Sequence, residues 1–242
     1  IGVRLVGSEM CIRDSIYSKE RLTMRQIEIK LEEYLADPTE PMTSFNMGLE
    51  YELIGQYASA MGYYLKAAEL TDDDKLAYEC LLRKAMCYKE LPDRWAHVRI
   101  NCLHAVSLMP ERPEAYHLLS VAYENTGNWI ESYTWAKVGQ RLNGIAKNDI
   151  LRTDVQYAGH YVLRFQQAVA EWHLGRFQES IDQFKALLEE EPLDLAYQGH
   201  CKWNVDHLEG RDADALAGIK KGKSTTDKDE IIKKIMEKQQ KK

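Results

Sequence analysis

Two acidic clusters in this chain have the composition of a divalent-metal site, Asp72-Asp73-Asp74 and Asp212-Ala213-Asp214. Such carboxylates hold a cation against a diphosphate when a strand end presents them inside an α/β domain. Here the first falls in a turn between helical stretches and the second in a polar tail, so both are read as solvated or capping residues. His97 and His104, and His200 and His207, lie seven residues apart and share a helix face. No HExxH or Cys/His cluster supplies further ligands, so no metal is expected. There is no GxSxG, no GxxxxGK[ST] and no GxGxxG, so neither a catalytic residue nor a cofactor-binding residue is assigned. The chain as it stands reads as non-enzymatic, with no cofactor.

The elements that would position any site are helical. A pattern recurs about every 34 residues. It is carried by Met47, Gly48, Tyr51, Gly55, Tyr57, Ala60, Tyr64 and Ala67, again by Tyr116, Leu119, Ser120, Tyr123, Gly127, Trp129 and Ser132, and again by Ala168, Gly175, Phe177, Ser180, Phe184, Leu187 and Pro192. A degraded copy between the first two keeps Tyr88, Trp95, Ala105 and Pro110, with one extra turn residue and no Gly across Glu90–Arg94. In each copy a large and a small residue begin one helix, a turn follows, and aromatics with a small residue mark a second. Gly48, Ala60, Ser120, Ser132, Ala168 and Ser180 are placed where paired helices cross at close range, and the aromatics fill the space around them.

These copies resemble the tetratricopeptide repeat family over residues 41–194. The resemblance implies an all-α fold, a right-handed α-solenoid of helix hairpins, acting as a protein-interaction scaffold. It also implies a concave groove lined by first-helix residues at fixed offsets from the small residue. Those positions are Phe45, Leu49 and Glu52; Leu82, Met86 and Lys89; His117, Val121 and Glu124; and Phe165, Val169 and Trp172. The lining is largely apolar and lacks the paired basic and Asn positions with which family members clamp a C-terminal carboxylate. It suits an apolar or amphipathic segment of a partner protein, unless the leading helix, the last helix or a neighbouring domain covers it. From Leu151-Arg152-Thr153-Asp154-Val155 through Trp172 and Ser180 to Asn204 the chain also resembles the repeat region that follows a family 2 glycosyltransferase domain in bacterial and phage proteins. The alternative function is therefore an accessory region of a glycosyltransferase, whose upstream catalytic domain would be the partner.

Leu5–Ser15 reads as translated sequencing adapter, so residues 1–15 are set aside and the natural chain is expected to start at Met24 or extend upstream. A leading helix is expected within 16–40, ending at Asp37-Pro38, then hairpins at 43–70, 76–108, 113–143 and 153–190, and a final helix to Leu208. The array, 41–208, is expected to behave as one elongated unit. Residues 209–242 read as a charged, largely disordered tail. From Lys220 onward nine Lys face four acidic residues, a net +5, which leaves −11 for the rest of a chain of net −6. So acidic a body disfavours nucleic acid. No run of 18 apolar residues is present, so no membrane span is expected, and cysteines without CxxC spacing read as buried thiols in a reducing, cytoplasmic setting.

Overall fold

A computed structural model describes residues 26–142, 150–190 and 193–221. Residues 1–15 and the stretch beyond Lys221 lie outside that range. Every regular element among the described residues is an α-helix: α1 (26–36), α2 (Pro41–Leu53), α3 (Tyr57–Leu70), α4 (Asp74–Lys89), α5 (Trp95–Leu108), α6 (Glu114–Glu124), α7 (Trp129–Gln140), α8 (Tyr161–His173), α9 (Phe177–Glu190) and α10 (Leu195–Lys221). The chain divides into two compact units, Ile1–Ala170 and Glu171–Lys242, in place of the single unit expected. The division falls inside α8.

Local chemistry explains the helix ends. Asp37 accepts from the amide of Thr39 at 3.1 Å just before Pro41 opens α2, and Asp73 accepts from the amide of Lys75 at 3.0 Å to cap α4. Three turns are built alike. Gly55, Gly127 and Gly175 have φ of 74°, 71° and 79°, and the next residue's amide reaches back five positions, from Gln56 to Tyr51, Asn128 to Tyr123 and Arg176 to Glu171. That is the left-handed helix stop for which Gly is favoured. The second hairpin has no Gly, and Asp93 takes the left-handed role at φ 55°, which Asp tolerates better than most side chains.

The small residues do what their spacing implies. Gly48, Ala60, Ser120, Ser132, Ala168 and Ser180 are all buried. A Cβ on Gly48 would stand 2.5 Å from Cε1 of Tyr64, so α2 touches the α3 aromatic directly. In the third hairpin the Ser120 hydroxyl donates to the Ser132 carbonyl at 2.9 Å, satisfying a buried polar group at the crossing. Tyr64 donates to Glu52 at 2.7 Å, and Glu52 pairs with Arg83 at 3.1 Å, which ties α2, α3 and α4 together.

Two expected boundaries move. The fourth hairpin begins at Tyr161, not 153, because residues 151–160 spend their backbone groups elsewhere, as described below. The last helix passes Leu208 and continues to Lys221, so the first thirteen residues of the expected tail are helical. Within the second unit, Ile181, Phe184, Leu187, Cys201 and Leu208 are buried, and Lys185 pairs with Glu209 at 2.5 Å across α9 and α10.

Candidate functional site

The first-helix face of the first unit is not empty. Residues 150–157, between α7 and α8, lie against it as an irregular, twice-bent strap. Its anchor is Glu79, a fully buried carboxylate on α4. Glu79 accepts from the Arg152 amide at 3.1 Å, from the Thr153 amide at 2.6 Å and from the Thr153 hydroxyl. A buried carboxylate is tolerable only when its lone pairs are used, and here one carboxylate takes two successive backbone N–H groups and a hydroxyl.

Further contacts flank that anchor. Arg152 pairs with Asp73 at 2.9 Å, and this hydrogen bond holds the Asp73 carboxyl below its usual range. Arg83 donates to the Asp154 carbonyl at 2.8 Å, and Lys89 donates to the Gln156 carboxamide at 2.7 Å. Leu151 and Val155 are buried in the same core cluster as Leu82, Met86 and Leu118, with Tyr157 packed on its edge. The Tyr157 ring lies 5.9 Å from that of His117. Burial pushes the Tyr157 phenol upward and drives the His117 imidazole down to about 4.

The sequence-derived groove positions therefore separate. Leu82, Met86, Lys89 and His117 meet the strap. Phe45 and Leu49 do not line an open groove, because Phe45 is 1% exposed with its ring 5.6 Å from Tyr64, and Leu49 packs on the same cluster inside the first hairpin. Val121, Phe165 and Val169 are half-buried. Glu124 is also half-buried, bonds to Gln166, and has its carboxyl raised by burial. Trp172, in the second unit, packs on Phe177 at 4.7 Å. Sequence reasoning missed Glu79 and the strap. The available signal was a carboxylate embedded in Tyr78-Glu79-Cys80-Leu81-Leu82, where burial of an acid demands a partner.

The remaining candidate clusters have structural roles. Asp73 caps and pairs, His97 stacks on Tyr88 at 4.8 Å, and His207 stacks on Trp203 at 4.1 Å. Asp212 and Asp214 fall in α10. Among the described residues no group of three or more His, Cys, Asp or Glu side chains is placed to hold a metal ion, and no helix is long and apolar enough to cross a membrane. Cys80, Cys87, Cys102 and Cys201 are free and buried.

Stacked hairpins with these turns and crossings are the tetratricopeptide fold, and residues 43–74 match the tetratricopeptide repeat family model. No curated protein matches the chain in sequence. Solved structures share its fold. A tetratricopeptide repeat protein from Parabacteroides merdae is 18% identical with a TM-score of 0.60, covering 88% of this chain and 77% of that one. PilW, a type IV pilus biogenesis factor, is 17% identical with a TM-score of 0.57, covering 78% and 80%. YrrB, described as a tetratricopeptide protein with an unusual peptide-binding site, is 14% identical with a TM-score of 0.53, covering 78% and 87%.

Proposed function

We propose that this chain is a non-enzymatic protein-interaction scaffold that grips a bent peptide segment of a partner on the first-helix face of its first unit. One observation carries the reading: that face already holds eight residues of peptide through a buried carboxylate, a guanidinium and an apolar cluster. Main-chain groups are taken by Glu79 and Arg83, and apolar side chains enter beside Leu82 and Met86, the usual division between affinity and specificity in peptide capture. The peptide-binding site named for YrrB is in keeping with this use of the fold.

Selection of a displayed random peptide library on the full chain, with a Glu79→Lys chain as counter-selection, tests it. The expected result is a set of peptides retained by the native chain and lost with Glu79→Lys. Peptides that bind both chains equally would place recognition elsewhere and refute this assignment.

A further inference from the structure

The contacts that seat residues 150–157 are largely ones that another peptide can reproduce. Two of the three bonds to Glu79 come from backbone N–H groups, and Arg83 takes a backbone carbonyl. The third bond to Glu79 needs only a hydroxyl, supplied here by Thr153. Leu151 and Val155 fill apolar space that any aliphatic side chain would fill.

The same segment fits imperfectly at its other end. Gln156 sits at φ 60°, a left-handed conformation that costs a side-chain-bearing residue free energy. His117 is 5% exposed, and among the described residues neither of its ring nitrogens has a hydrogen-bond partner. A buried polar group without a partner carries its full desolvation cost. Lys89 donates to the neutral Gln156 carboxamide at 2.7 Å. A cation thus faces position 156 of the strap, three residues beyond Thr153, and a carboxylate there would pair with it.

Building on the scaffold reading, we propose that residues 150–157 are a built-in competitor for the first-helix face, displaced by a partner segment with Ser or Thr for Glu79 and, three residues later, Asp or Glu for Lys89. The strap then keeps the face closed until a better-matched segment arrives. Tethering gives it a high effective concentration, so only a ligand of higher intrinsic affinity displaces it.

Two fluorescein-labelled peptides serve as probes, one with the sequence of residues 150–159 and one carrying Gln156→Glu. Anisotropy is read with the native chain, with a chain whose residues 150–157 are replaced by a Gly/Ser spacer, and with that spacer chain carrying Glu79→Gln. The spacer chain is expected to bind both peptides, the Glu-bearing one about fivefold or more tighter, and Glu79→Gln to weaken both about tenfold. The native chain should bind each more weakly than the spacer chain does. A spacer chain with native helical content that binds neither peptide overturns the proposal, and equal affinities for the two peptides overturn its acidic element. If the spacer chain fails to fold, the full chain with Thr153→Ala decides: it should bind the Glu-bearing peptide more tightly than the native chain, and no gain overturns the proposal. Both probes come from this chain, so failure here leaves a Glu79-dependent result of the library selection standing, and success stands even if selection finds no partner.

Discussion

Glu79→Gln removes the charge that seats the strap while keeping the side chain's size. The carboxylate accepts from two amides and a hydroxyl, whereas a carboxamide offers one acceptor oxygen and turns an N–H₂ toward the remaining donors. Each hydrogen bond to a charged group contributes about 1.5–3 kcal/mol, so losing one or two implies about 1.5–6 kcal/mol against the docked strap. The loss in global stability is smaller if the strap opens first, because opening lets water reach the carboxamide and caps the penalty at the strap's own docking free energy. Two readouts separate these quantities. Amide exchange at Arg152 and Thr153 should accelerate at least tenfold, and the urea midpoint should fall without loss of native helical signal in water. The reasoning is refuted if these two amides already exchange at open-chain rates in the native chain, or if Glu79→Gln leaves both exchange and midpoint unchanged.

Other substitutions test the packing. Gly48→Ala drives a Cβ into the Tyr64 ring, which its bond to Glu52 holds in place, so the overpacking cost of about 1–3 kcal/mol should outweigh the roughly 1 kcal/mol of improved helix propensity. Gly62→Ala on α3 meets nothing within 4 Å and should stabilise, so the urea midpoints of the two variants are expected to move in opposite directions. His117 is held neutral to about pH 4 in the folded chain but takes a proton near 6.5 when unfolded, so stability should decline as pH falls through that window. The decline attributable to His117 is at most about 3 kcal/mol, and His117→Phe should flatten that part of the profile, whereas parallel profiles would contradict it. Burial pushes the Cys80 and Cys87 thiols up to about 12 and Cys201 to about 11, so peptide mapping after a thiol reagent at pH 8 should find them unmodified until urea is added.

The hairpins were legible because their determinants are local. Gly55, Gly127 and Gly175 announce left-handed turns, and Gly48, Ser120 and Ser132 mark crossings, all within one repeat of their partners. The strap was not, because it joins residues 73 and 74 positions apart, and Leu151 and Val155, four apart, mimic a helix face. Backbone capture by a distant carboxylate leaves no periodic trace. Offsets from the small residue point to Leu82, Met86 and His117, which lie beside the strap, and to Phe45, whose ring turns into its own hairpin toward Tyr64. The extension of α10 was hidden by Gly210 and Gly218, which lower helix propensity without forbidding a helix.

The central claim is that the chain's own segment occupies its first-helix face. It is tested most directly by nuclear Overhauser contacts between the aromatic protons of Tyr157 and His117 in the native chain, whose ring centres lie 5.9 Å apart. A cross-peak between the rings, lost in a Thr153→Ala, Glu79→Gln double variant, is the predicted result. A Tyr157 ring with open-chain shifts and no contact to His117 would contradict the account.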